Sequence, residues 1–228
     1  MNRGSLRDSN LRHLPPGVEA LATVASYRRG DQIYRQGSDA LQLYRVISGQ
    51  ACKCLNTASG RRRVVDFLLP GDYFSFTTLD RHRFGVEAVS SGTLIARYPR
   101  REFECIATWD QSVAAIIREA AFGTISRLQT RLLIVGRVSA QGKVSAFLLS
   151  IAGRYSDRTP DRFILPMSRY DIADFLGISV ETVSRALTHL KRHHTIKIVD
   201  ARSVEIIDRA GLTRIADDDD MDGLRGAC

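Results

Sequence analysis

Glu181, Ser184, Arg185 and Thr188 recur at i, i+3, i+4 and i+7, which places four polar side chains on one face of a single helix. Their types match the edges of DNA bases. An arginine can donate twice to guanine O6 and N7, a glutamate can accept from cytosine N4, and a serine can bond a base edge or pack beside a thymine methyl. A solvated helix face more often carries a mixture of Lys and Glu. The plain alternative is an αα-hairpin whose polar face simply meets water.

The elements that would hold this face are legible nearby. Ser168 followed by Asp171 is a start signal for a helix. Ile172, Ala173 and Leu176 give that helix an apolar face, and Gly177 ends it. Ser179 is the next N-cap. Val180, Val183, Leu187 and Leu190 form the inward stripe of the second helix. Two helices so joined form a helix-turn-helix, in which the second helix enters the major groove. Ile196–Val199 and Val204–Ile207, turned at Asp200-Ala201-Arg202, predict a β-hairpin wing. Lys197 and Arg202 on the wing could meet phosphates, as could Ser168, Arg169, Ser179, Thr182, Thr188 and Lys191 around the helices. Such contacts give affinity without sequence information.

The chain has 228 residues, with 33 Lys and Arg against 25 Asp and Glu, a net charge of +8 and a pI of about 9.7. This balance suits a polyanionic partner, although the basic excess is spread over both halves. No apolar run is long enough to cross a membrane, and the first residues lack the apolar core of a signal peptide. A cytoplasmic protein is expected. Cys52, Cys54, Cys105 and Cys228 are too few and too scattered for a disulfide framework. Cys52 and Cys54 should point the same way from one strand. His189 and His193, four apart on the second helix, share a metal-gripping spacing, but they sit beside Lys191 and Arg192 at a DNA-facing end. No metal site is expected. Phosphate-binding glycine loops and a nucleophile elbow are absent, which argues against an enzyme.

Between Tyr27 and Tyr98, short β-type runs are broken at Gly30, Gly37, Gly49, Gly60, Gly71 and Gly92, the pattern of a sandwich or small barrel. A long helix should follow, from about Trp109 to Gly136. Val113, Ile117, Ala120, Thr124, Leu128 and Val135 approximate a heptad seam for a parallel homodimer. The same stripe could instead pack on the helix's own β domain. Lys143–Tyr155 predicts another helix, and Arg162–Pro166 a short strand after an Asp157–Asp161 loop. The run Asp217–Asp220 reads as a disordered acidic tail.

Taken together, Gly30-Asp31-x-Ile33-x-x-x-Gly37, Leu43-Tyr44, Gly49, Gly71-Asp72 and Gly177–Arg185 resemble the Crp/Fnr superfamily of transcription regulators over residues 20–212. The recognition segment resembles the Fnr/FixK branch. The resemblance implies an α+β protein. Its parts would be an N-terminal β-roll of the cyclic-nucleotide-binding type (1–108), a dimerisation helix (109–137), a winged helix-turn-helix (138–216) and an acidic tail (217–228). It also implies a homodimer on double-stranded DNA at TTGAT-N4-ATCAA, contact with RNA polymerase, and control of low-oxygen, nitrogen-fixation or denitrification genes. Arg185 would read the G, Glu181 the opposing C and Ser184 a T.

Departures from the family pattern bear on cofactors. No cysteine precedes Cys52, and Ala96 stands at the β-roll cysteine position, so no iron–sulfur cluster is expected. Ser75-Phe76 and Arg83-Phe84 replace the nucleotide-binding Gly-Glu and Arg-Ser/Thr pairs. Phe76 and Phe84 are expected to fill the pocket, and no cyclic nucleotide is expected. The alternative reading is an effector-gated regulator that senses nitric oxide or a small molecule through the β-roll. His13 and His82, the histidines outside the DNA-binding half, offer it no context in the sequence.

Overall fold

The breaks expected at Gly30, Gly37, Gly49, Gly60, Gly71 and Gly92 all carry positive φ, and the strands between them fold into a β-roll. The computed structural model describes residues 15–155, 162–199 and 203–225. In chain order, α1 (Pro16–Glu19) leads into β1 (Thr23–Tyr27), β2 (Gln32–Tyr34), β3 (Gln42–Ser48), β4 (Ala51–Asn56), β5 (Arg62–Leu68), β6 (Tyr73–Phe74), β7 (Gly85–Ala88) and β8 (Thr93–Pro99). Two four-stranded antiparallel sheets result, ordered β1-β8-β3-β6 and β2-β7-β4-β5. Helices α2 (Arg100–Ala107) and α3 (Gln111–Gly136) follow.

Both faces of the first sheet are buried. Tyr44, Val46, Phe74 and Ile95 meet Ile33, Ala51, Leu68 and Val86 of the second sheet inside the roll. On the outer face, Leu43, Ile47, Ala96 and Tyr98 pack against Val18, Phe103 and Val113 from the three helices. This two-sided burial explains why β3 and β8 read as near-continuous apolar runs. Inside the roll the aromatic rings form a stack. Tyr34 lies 3.8 Å from the His82 ring, and Tyr44 lies 5.3 Å from Phe74, centroid to centroid. Phe76 packs with the outer cluster instead, and Phe84 is half-buried with the exposed Arg83 over its ring. The interior is therefore filled by Tyr34, His82 and Tyr44, not by Phe76 and Phe84. His82, which has no evident role in the sequence, is buried, with Nδ1 3.3 Å from the Ser75 hydroxyl.

The seam residues expected on α3 divide. Val113 is 0% exposed in the β-roll's outer cluster, and Ile117 packs against that cluster, so neither faces a partner helix. Ala120 and Thr124 are half-buried, and the Thr124 hydroxyl donates to the Ala120 carbonyl at 2.8 Å. Leu128 and Val135 are exposed, and they fall in register with exposed Ile125 and Leu132. The helix thus carries two apolar stripes. The first covers its own domain, while the exposed one runs through Ile125, Leu128, Leu132 and Val135 at a/d spacing, with Phe122 and Leu133 beside it.

The chain divides into two compact units, 1–125 and 126–228, and the division falls within α3. The second unit contains α4 (Ala140–Gly153), β9 (Arg162–Ile164), α5 (Arg169–Leu176), α6 (Val180–Arg192), β10 (Ile196–Ile198), β11 (Ser203–Ile206) and α7 (Arg209–Arg225). Strands β10, β11 and β9 form a three-stranded antiparallel sheet. The expected Asp157–Asp161 loop and the wing turn 200–202 lie outside the described residues, as do 226–228. The acidic run Asp217–Asp220 is not a disordered tail but part of helix α7. Buried Leu212 and Ala216 anchor that helix, and an ion pair joins Asp217 to Arg137 at 3.6 Å. Its polar composition hid two well-spaced apolar anchors.

At Gly49 the chain turns hard against Thr93. Its φ is +75°, and a Cβ there would lie 2.6 Å from Thr93 Oγ1 and 2.7 Å from Thr93 Cα. Gly60 has a similar φ of +76° but open space around it. Gly60→Ala should cost about 1–2 kcal/mol from the left-handed backbone alone. Gly49→Ala should cost about 1–3 kcal/mol more through the steric clash. Urea unfolding of the two variants checks this difference, and equal midpoints would refute it.

Candidate nucleic-acid interface

Helix α5 starts at a complete capping box. The Ser168 hydroxyl accepts from Asp171 N–H at 3.1 Å, and the Asp171 carboxylate accepts from Ser168 N–H at 3.1 Å. Gly177 closes the helix in the left-handed conformation, with φ 67° and ψ 34°. Two residues on, the Ser179 hydroxyl accepts from Thr182 N–H at 3.1 Å and opens α6. A tight turn thus sets the angle between the two helices, and the caps satisfy backbone donors that a helix start leaves unpaired.

The apolar side of α6 is sealed. Val183, Ala186, Leu187 and Leu190 are buried, and α6 packs on α5, α4 and β10. Phe147 of α4 meets Phe175 of α5 at 5.6 Å between ring centroids. Arg131, near the end of α3, holds α5 from below. Its guanidinium lies 4.5 Å from the Phe175 ring centroid and donates to the Phe175 carbonyl at 3.2 and 3.3 Å. These contacts leave one face of α6 outside, and Glu181, Ser184, Arg185 and Thr188 are all exposed on it.

The electrostatics of that face are set locally. The Glu181 carboxyl titrates below the usual glutamate range. Its own backbone N–H is the main cause, followed by the Ser179 hydroxyl, with the Arg185 charge adding to both. These contacts favour the ionised form, in which both oxygens can accept from a base amino group. The Thr188 hydroxyl donates to the Ser184 carbonyl at 2.8 Å, which uses its proton and keeps its oxygen as an acceptor.

The remaining predicted residues fall into groups. The hydroxyls of Ser168, Ser179 and Thr182 are engaged in capping, so these residues shape the helices. Arg169 is half-buried, and burial lowers its pKa from the ordinary arginine value. Lys191 and Lys197 are exposed. Arg202 lies outside the described residues. A cleft of about 540 Å³ runs along the outer side of α6, lined by Gln141, Ser184, Arg185, Thr188, His189 and Arg192 among others. Gln141 and Arg192 therefore line the same surface as Ser184, Arg185 and Thr188. Sequence spacing could not reveal Gln141, because it comes from the first turn of another helix.

A β-roll and a capped pair of helices with this outward polar face define a class: DNA-binding transcription regulators with an N-terminal sensory-type domain. Comparison with known proteins agrees. Residues 24–108 match the cyclic nucleotide-binding domain, and residues 142–215 match the Crp-like helix-turn-helix domain. The nitrogen fixation regulation protein FixK of Azorhizobium caulinodans is 38% identical over 218 residues, covering 94% of this chain and 87% of that protein. FixK of Rhizobium meliloti is 37% identical over 196 residues, covering 86% of this chain and 88% of that protein. The solved structure of FixK2 from Bradyrhizobium japonicum superposes with a TM-score of 0.77 at 32% identity, covering 85% of this chain and 96% of that one. The chain belongs to the Crp/Fnr family of transcription regulators, and it is similar to FixK proteins over most of its length.

Replacing Ser168 with alanine removes the hydroxyl that accepts from Asp171 N–H and keeps the backbone half of the box, Ser168 N–H to the Asp171 carboxylate, and should destabilise the second unit by about 1 kcal/mol. Urea unfolding followed by far-ultraviolet circular dichroism measures this. An unchanged midpoint would show that the cap contributes nothing.

Proposed function

We propose that this regulator binds a two-fold symmetric site of the form TTGAT-N4-ATCAA as a homodimer. Each recognition helix would enter the major groove, with Arg185 on guanine, Glu181 on the opposing cytosine and Ser184 on thymine. The observation that carries the proposal is the outward, side-by-side exposure of these three residues on a helix whose opposite face is buried. Lys191, Lys197 and Arg202 would meet phosphates. The similarity to FixK and to transcriptional activators such as FnrL of Cereibacter sphaeroides supports activation, through RNA polymerase, of genes for low-oxygen or nitrogen metabolism. Cytoplasmic action on the chromosome goes with that role.

Dimerisation would use the exposed stripe Ile125, Leu128, Leu132 and Val135. Together with Phe122 and Leu133 it leaves a continuous apolar surface that water would otherwise cover. Parallel pairing there would set two recognition helices on half-sites about one DNA turn, roughly 34 Å, apart.

The β-roll is proposed to work without cyclic nucleotide and without an iron–sulfur cluster. Residues Ser75 and Phe76 offer no carboxylate for a ribose, and the Tyr34–His82 stack occupies the interior of the roll. Ala96, fully buried, cannot ligate iron. An effector-gated reading that senses nitric oxide gains nothing from His82, which is enclosed by aromatic rings.

Arg185→Ala should lower affinity by about 1–3 kcal/mol and relax the choice at the G position, with or without added cyclic AMP. A gel-shift series over all four bases tests this; full discrimination retained by the variant would refute the assignment. Leu132→Glu should convert the dimer to a monomer in sedimentation and abolish tight binding to the full palindrome. A variant that stays dimeric would move the seam elsewhere.

A further inference from the structure

Cys52 and Cys54 lie in β4, far in sequence from the recognition helix, and the reading of DNA makes no use of them. Alternation puts residues i and i+2 on one face of a strand. Here the ladder between β4 and β5 also shifts register between Lys53 and Cys54. The two sulfurs end 3.3 Å apart, with both residues in the thiol form.

The surroundings of the two thiols differ. Cys52 is 0% exposed and faces Phe67 across one ladder and Glu87 across the other. Arg62 reaches over it. The Arg62 Nη2 donates to Glu87 Oε1 at 2.5 Å and lies 3.7 Å from Cys52 Sγ. Cys54 is 4% exposed, but it lines a cleft of about 590 Å³ together with Gln32, Gln36, Asn56 and Glu87. One sulfur can be reached through a cleft. The other lies 3.3 Å from it, beside the Arg62–Glu87 ion pair. Packing alone requires neither the sulfur–sulfur contact nor the guanidinium.

We propose that Cys52 and Cys54 form an oxidative modification site, at which a hydroperoxide converts the dithiol reversibly into an intrastrand disulfide. In the first step, Cys54 Sγ attacks one oxygen of the peroxide and the O–O bond breaks. The cysteine becomes a sulfenic acid, and the other oxygen leaves as water with the thiol proton. In the second step, Cys52 Sγ attacks the Cys54 sulfur and expels the hydroxyl, which departs as water with the Cys52 proton. Two thiols and one hydrogen peroxide give one disulfide and two waters; the sulfurs lose two electrons and the peroxide gains them. The Arg62 guanidinium, paired with Glu87, also offers an N–H donor to Cys52 Sγ at 3.7 Å during that attack. Shortening 3.3 Å to a bond of about 2.05 Å requires little more than an ångström of motion. That motion falls where the strand ladder is already irregular.

The test uses the full chain carrying Cys105→Ser and Cys228→Ser, so that only this pair can react. Trypsin cuts after Arg45, Lys53 and Arg61, and so separates the two cysteines into Val46–Lys53 and Cys54–Arg61. After a brief exposure to hydrogen peroxide and alkylation, the two peptides should appear as one linked species. That species should be two hydrogens lighter than their sum and should split with dithiothreitol. Adding Cys52→Ser should leave a sulfenic acid on Cys54 that dimedone captures, whereas adding Cys54→Ser should leave Cys52 largely unlabelled. Recovery of two separately alkylated peptides from the intact pair would overturn the proposal. So would dimedone capture at Cys52 as fast as at Cys54.

Discussion

The recognition surface depends on one constraint: the apolar half of α6 must stay buried. Val183, Ala186, Leu187 and Leu190 lock that half into the second unit, so the polar half has nowhere to turn but outward. Burying one aliphatic side chain of this size contributes roughly 1.5–3 kcal/mol, far more than any single hydrogen bond on the exposed face. The capping residues set where the helix begins, and the packing sets which way it faces. Glu181, Ser184 and Arg185 are therefore held on the exposed face by the packing of the opposite side of the helix. Arg131 adds a support from α3 by stacking on Phe175 and bonding its carbonyl.

A division of labour on one long helix is the second theme. In its first turns, α3 gives Val113 and Ile117 to the β-roll. Further along it exposes Ile125, Leu128, Leu132 and Val135. Leu128 and Val135 belong to both the expected seam and the exposed stripe, whereas half-buried Thr124 gives way to its exposed neighbour Ile125. The β-roll itself keeps the family's frame while its interior is filled by Tyr34, Tyr44, Phe74 and His82. On the outer face of the same sheet, residues of α1, α2 and α3 complete a second apolar cluster.

Much of this was legible from residue types alone. The glycine breaks were readable because positive φ is costly for other residues, and the helix pair because its caps and its glycine stop have strong local signatures. Other elements left weaker traces. The edge strand β1 is largely exposed and lacks alternation, and β6 has two residues. Helix α2 begins at Pro99 without a side-chain cap and buries Phe103 alone. In α7 the acidic run outweighed the two buried anchors. The expected seam on α3 divided, with Val113 and Ile117 covered by the β-roll and Leu128 and Val135 exposed, for a different reason. Periodicity identifies apolar stripes but not which stripe the chain covers by itself. Likewise, the part played by His82 depends on Tyr34, nearly fifty residues away, and no local pattern joins them.

Selection of bound sequences from a pool of random duplex DNA by the purified protein tests the central claim most directly. The account predicts enrichment of a two-fold symmetric site with a G·C pair at the same place in each half, flanked by A·T pairs as in TTGAT-N4-ATCAA. Enrichment of an asymmetric site, or of no site at all, would contradict the claim that the outward face of α6 reads the sequence.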